Sequence, residues 1–238
     1  MKWKSTRYIV ALAAVFFLAG AAAWWITTDA VPAVSHAKEV FPVIILDAGH
    51  GGTDGGAVSA DGIVESRLNL EITKRLSLLM AFCGHESVLT RTDEGSLASP
   101  DTASVKEEKR SDLNYRVSFV NAYSDAVLIS IHQNSLPGHP EVFGAQVFFN
   151  TAPTAGRLAE EIQEQLNAFH NAGNEKLSRK IDASIYLMKE VTHPAVLVEC
   201  GFLSNPTEAK LLCTEEYQKQ LVLAVAAGYL SYTNEGIT

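Results

Sequence analysis

Cysteine is scarce and scattered: Cys83, Cys200 and Cys213 are the only three among 238 residues, and no two form a Cys-x-x-Cys pair. That excludes a disulfide-stapled fold and a zinc ribbon, and the odd count leaves at least one thiol free. Positive charge is also short, with 19 Lys and Arg against 27 Asp and Glu and a net charge of -8. Without a basic excess the chain has no field to hold nucleic acid, so no nucleic-acid partner is expected. Charged residues make up 19% and hydrophobic ones 47%, too apolar a balance for a disordered chain. There is no internal repeat, no low-complexity tract and no second zone of composition that would mark a separate module. The length suits one globular domain and an appendage.

The appendage comes first. Lys2, Lys4 and Arg7 precede an uncharged apolar run from Ile9 to Ile26, and no acidic residue appears before Asp29. This is the pattern of a secretory or membrane signal. The small residues of Ser35-His36-Ala37 suit cleavage, whereas the length of the run and the Trp24-Trp25 pair suit an interfacial anchor, and both outcomes stand. Residues 1–37 are therefore expected to be a signal peptide or N-terminal membrane anchor, and 38–238 an exported domain, secreted or membrane-anchored.

In that domain strands alternate with helices. FPVIILD, Phe41 to Asp47, is a continuous apolar run that reads as a buried strand. Glu65 to Phe82 carries Leu68, Ile72, Leu76, Leu79 and Met80 at helical spacing and stops at Cys83-Gly84. Further strands are expected at Ser87–Thr90, Ala126–Ile131, Ala145–Phe149, Ser184–Met188 and Ala195–Val198. Helices are expected at Ser111–Tyr123, capped by Ser111 or Asp112, at Thr154–Phe169 and at Glu215–Tyr232. The polar stretch from Asp93 to Arg110 reads as a surface loop or a short charged helix. The sum is a single-domain α/β sandwich, a mostly parallel twisted sheet with helices on both faces.

Three segments share one placement, at or just past the C-terminal end of a strand: Asp47 to Gly52, Ser130 to Asn134, and Val198 to Phe202. Ligands bind at that edge in open α/β sheets. His50 and His132 reach it from different strands, and Glu65 opens the helix that follows the glycine-rich loop. Two imidazoles and one carboxylate suit a divalent metal with an open position for water, the arrangement of a hydrolytic site. Glu199 ends a buried strand, where a carboxylate is costly unless it has a task or a partner, and it is the candidate base. Cys200 has no histidine in its local motif to activate it as a nucleophile. His36, His85, His139, His170 and His193 read as surface or loop residues.

LDAGHGGTDGG, the Glu65 helix, SIHQNS and VLVECGFLSNPTEAKLL resemble, in order, the four blocks of the zinc-dependent N-acetylmuramoyl-L-alanine amidases, and the resemblance runs from about Val43 to Tyr229. It implies one zinc ion on His50, Glu65 and His132, catalysis by Glu199, and peptidoglycan as substrate, cut between N-acetylmuramic acid and L-alanine. Asn134 and Arg91 are candidates to touch the substrate. A leader followed by a bare catalytic domain is similar to the sporulation members of that family. This implies spore-cortex maturation with muramic-δ-lactam formation, a place outside the plasma membrane such as the forespore intermembrane space, and a membrane or lipoprotein activator. The same donor set also serves zinc peptidases and deacetylases. A partner-dependent wall-binding protein, inactive alone, is the reading from a different class.

Overall fold

The structure, a computed structural model, describes residues 41–234. The expected leader and its boundary at residues 37 and 38 lie outside the described residues. Among the described residues no helix is long and apolar enough to cross a membrane.

Strands β1 (Val43–Ala48), β2 (Ser87–Leu89), β3 (Ala126–Asn134), β4 (Gln146–Phe149), β5 (Arg179–Lys180) and β6 (Ala195–Phe202) form one six-stranded sheet in the order β2-β1-β3-β6-β4-β5. Pairing is parallel throughout except between β4 and β6. Strand side chains alternate between the two faces. Ile44 and Leu46 of β1, Ile129 and Ile131 of β3, and Val196 and Val198 of β6 therefore join one apolar cluster, with helices α1 (Glu65–Phe82), α3 (Ala155–Phe169) and α6 (Glu215–Asn234). Ile45, Leu128 and Leu197 face the other way, towards α2 (Val105–Asn121) and α4 (Tyr186–Glu190). Both faces are covered, which is why β1, β3 and β6 are apolar without alternation.

Two elements differ from expectation. Helix α2 begins at Val105 rather than Ser111, because Ser104 caps it by accepting a hydrogen bond from Glu107 N (3.3 Å) while the Glu107 carboxylate accepts from Ala103 N (3.0 Å). Ser111 and Asp112 therefore lie inside the helix. The segment expected as a strand at Ser184–Met188 instead turns on Asp182, which accepts from Ser184 N (2.8 Å) and Ile185 N (3.1 Å), and continues as α4. Its neighbour β6 is already paired on both sides, by β3 and β4, and has no free edge to offer. The short helix α5 (Pro206–Leu212) was not anticipated; Asn205 caps it, with Pro206 in the first turn. His85 is buried, not on the surface, between the rings of Phe41 and Tyr229.

Candidate metal centre and catalytic cleft

Strands β1, β3 and β6 are neighbours, and their C-terminal ends deliver the expected residues to one edge. The chain leaves β1 for β2 on one side and returns to β3 on the other. His50 and His132 thus flank the switch in strand order, where such sheets open a crevice. In the parallel register of β3 and β6, His132 lies opposite Glu199. Glu65 is the first residue of α1 and buried, with its carboxylate turned back over the sheet edge.

The carboxylate of Glu65 is the hub. Its Oε1 lies 3.2 Å from His50 Nε2 and 3.0 Å from His132 Nδ1 and accepts from Gln133 N (3.1 Å), while Oε2 accepts from Ala57 N (2.8 Å). Burial pushes the pKa of Glu65 up, but the two histidines outweigh it and hold the carboxyl well below its ordinary range. His50 turns its other nitrogen, Nδ1, to Asp54 Oδ2 at 3.0 Å, and Lys109 Nζ lies 3.0 Å from the same oxygen. Burial lowers the pKa of His50, while Glu65 and Asp54 raise it further than burial takes away. A carboxylate on the far nitrogen favours the tautomer with the proton on Nδ1, which leaves the lone pair of Nε2 for a metal, as is usual for metal-binding histidines. His50 has φ 63°, a left-handed backbone that costs a non-glycine residue roughly 1–2 kcal/mol. Gly49 is required just before it, because a Cβ there would overlap the His132 ring.

Glu199 lines the same cavity and stands apart from this network. It is half-hidden as a residue, yet its Oε2 is wholly buried and has no hydrogen-bond partner. Burial pushes its pKa up to about 7, with Glu65 adding to the rise and the two histidines opposing it. Such an acid can both take and give a proton near neutral pH. The cavity measures about 480 Å³. Thr53, Glu108 and Lys109 line it together with Leu113, Ile185, Tyr186 and Leu197.

Asn134 lines this cavity, with its Oδ1 accepting from Ser135 N at 2.8 Å. Arg91 is buried elsewhere: its guanidinium donates to the carbonyl oxygens of Ala48 (2.9 Å), Gly49 (3.2 Å), Ser66 (2.8 Å) and Asp93 (2.8 Å). All its nitrogens are engaged with backbone, beneath the His50 loop. Cys200 is fully buried with its thiol pKa pushed up by burial, the opposite of an activated nucleophile. Sequence reasoning missed Asp54, Asn69 and Arg116. Asp54 follows His50 by four positions inside the quoted first block, which was the available signal. Asn69, one turn after Glu65, donates to Glu65 Oε1 (3.3 Å) and to Gly49 O (3.1 Å) and had no local mark.

The donor set fits a catalytic zinc ion. Among the described residues His50, Glu65 and His132 form the one group of this kind, each offering a ligand atom, with all three atoms within 4.8 Å of one another. Two imidazole nitrogens and a carboxylate oxygen make a three-ligand set that leaves a position for water or substrate. Both histidines aim a nitrogen at one carboxylate oxygen, so three ligand atoms converge on one point, which is the arrangement expected around a cation.

Known proteins resemble this chain along nearly the whole of the described domain. The sequence profile of the Amidase_3 family, N-acetylmuramoyl-L-alanine amidase, matches residues 44–230. The germination-specific N-acetylmuramoyl-L-alanine amidase of Bacillus subtilis (strain 168) is 34% identical over 193 residues, covering 81% of this chain and 80% of the relative. Among solved structures, the CwlD amidase from Clostridioides difficile, determined in complex with the GerS lipoprotein, superposes with a TM-score of 0.77 at 35% identity, covering 81% of this chain and 98% of that one. The catalytic domain of CwlV, from Bacillus (Paenibacillus) polymyxa var. colistinus, superposes with a TM-score of 0.68 at 27% identity, covering 82% and 99%.

Proposed function

We propose, since the chain belongs to the N-acetylmuramoyl-L-alanine amidase family and is an enzyme of that type, that its cleft hydrolyses the amide between N-acetylmuramic acid and L-alanine with one zinc ion on His50, Glu65 and His132 and with Glu199 as the proton carrier. The observation that carries this reading is the buried, partnerless Oε2 of Glu199 in the same cavity as the three convergent donors. Bound zinc would supply a Lewis acid for the amide carbonyl and bring the pKa of water towards neutrality. Glu199 accepts the proton of the attacking water at Oε2 and returns it to the leaving nitrogen of L-alanine. Asp54 keeps the proton of His50 on Nδ1, and Asn69 and Gln133 hold the Glu65 carboxylate in place. Asn134 lines the cleft with its Oδ1 engaged and its Nδ2 left to meet the substrate, whereas the engagement of Arg91 with four carbonyls speaks against its proposed contact with substrate.

A spore-cortex role is part of the proposal. It is supported by the germination-specific relative in Bacillus subtilis and by the likeness to CwlD, and it places the domain outside the plasma membrane. The complex of that CwlD with a lipoprotein supports a lipoprotein partner here as well. The test is Glu199→Gln. Zinc content should remain at one equivalent while release of peptides with free L-alanine amino ends from purified peptidoglycan falls by about 10²-fold or more. Wild-type turnover in that variant would remove Glu199 from the mechanism, and acetate in place of peptides would mean a deacetylase.

A further inference from the structure

Beneath the metal-site loop lie two arginines that almost no water reaches, Arg91 at 3% and Arg116 at 2% exposure. Buried cations of the same sign are expensive, and an apolar filling of equal volume would serve a core better. What the two touch is specific. Arg116 donates through Nη1 to Ala48 O (3.0 Å) and through Nη2 to His50 O (2.7 Å). Arg91 donates through Nε to Ala48 O (2.9 Å) and through Nη2 to Gly49 O (3.2 Å). The carbonyls of three successive residues, 48, 49 and 50, are thus all held by guanidinium groups, and the last belongs to the histidine with the left-handed backbone.

We infer that Arg91 and Arg116 are positioning residues of the metal centre, whose paired guanidinium forks hold the Ala48, Gly49 and His50 carbonyls and so keep His50 in the one backbone conformation that aims its Nε2 at Glu65. This rests on the metal site proposed above. The forks are themselves anchored from below. Arg116 meets Asp47 through Nη1 and Asp112 through Nε (2.6 Å), and Asp47 in turn accepts from Ser130 Oγ (2.6 Å), two residues before His132. Arg91 also donates to Ser66 O, beside Glu65. All three ligands are therefore adjacent to one buried scaffold: His50 through its own carbonyl, Glu65 through that of the next residue, Ser66, and His132 through Ser130 and Asp47. The chemistry calls for arginine. Each guanidinium reaches several carbonyls in one plane, which a lysine ammonium on its single point cannot do.

The experiment uses the full chain and three variants, Arg91→Lys, Arg116→Lys and the double variant D47N/R116M, in which no buried charge is left facing a neutral partner at position 47. Zinc affinity is read by competition with a chromophoric chelator, and the melting temperature is read without metal. Zinc bound about tenfold or more weakly is the expected result, with the melting temperature retained in the lysine variants and lowered in D47N/R116M by the loss of the Asp47 carboxylate, since loss of groups that orient ligands commonly costs 10- to 100-fold. Saturating zinc should then restore turnover in the lysine variants but not in His50→Ala. Wild-type zinc affinity in all three would overturn the inference, as would failure of every variant to fold, which would make the arginines parts of the fold alone. A wild-type chain whose zinc binding ignores His50→Ala would instead remove the metal site and leave the arginines without that role.

Discussion

Asp47 shows how a single buried acid can hold the base of a site together. It is 1% exposed and accepts from Thr90 Oγ1 (2.7 Å), Ser130 Oγ (2.6 Å) and Arg116, so it joins the segment after β2, strand β3 and helix α2 at the end of β1. Burial alone would raise its pKa; the Arg116 guanidinium and the two hydroxyls more than reverse that and hold it at about 2, against 3.8 for a free side chain. A depressed acid stabilises the fold fully above its unfolded pKa, and that contribution is lost as pH falls through the folded value. Asp47 should therefore add on the order of 2 kcal/mol that disappears between about pH 4 and pH 2. Urea unfolding at a series of pH values should show this acid slope in the wild type and a shallower one in Asp47→Asn; equal slopes would refute the assignment. Gly49 gives a second prediction at this scale. Gly49→Ala places a methyl group where the His132 ring lies, so zinc affinity should drop sharply while the far-ultraviolet circular dichroism stays native. Unchanged zinc binding would show that the ring has room to move.

At the level of elements, α3 and α6 cross where Gly228 meets the backbone of Ile162 and Glu161, with no room for a side chain. Gly228→Ala should force the two helices apart and cost about 1–3 kcal/mol, the usual cost of overfilling a close contact, even though alanine is the better helix former. A variant as stable as the wild type in urea would mean that the crossing relaxes freely. Elements were legible in the sequence where one local signal decided them. β1, β3 and β6 are apolar runs too short for helices, and α1 has its apolar spacing and its Cys83-Gly84 stop. The convergence of His50, Glu65 and His132 followed from the ends of those elements. Where the deciding contact was distant, reading along the chain failed. The segment at 184–188 is apolar enough for a strand, but β6 has no free edge for it. Arg91 was a candidate to touch the substrate, and only the folded loop supplies the carbonyls that occupy it. Arg116 gave no sign of its task because its partners Asp47 and His50 are 69 and 66 positions away.

For the whole molecule, metal binding and folding should be one equilibrium. The ligands come from the end of β1, the start of α1 and β3, and no segment of the unfolded chain carries all three. Zinc at 100 times its dissociation constant should then stabilise the native state by about 2.7 kcal/mol, or roughly 5–10 °C in melting temperature for a domain of this size. Thermal melts across a zinc series, reversed by chelator, would show this; a midpoint indifferent to zinc would exclude a native site. The run of β1 also sets a direction. Phe41 and Val43 lie at one edge of the sheet and His50 at the other, about 20 Å further on at 3.3 Å per residue. The cleft and the chain's entry into the sheet are thus at opposite ends of one strand, so a molecule seated in the cleft meets the loops that follow β1, β3 and β6 and never the start of β1.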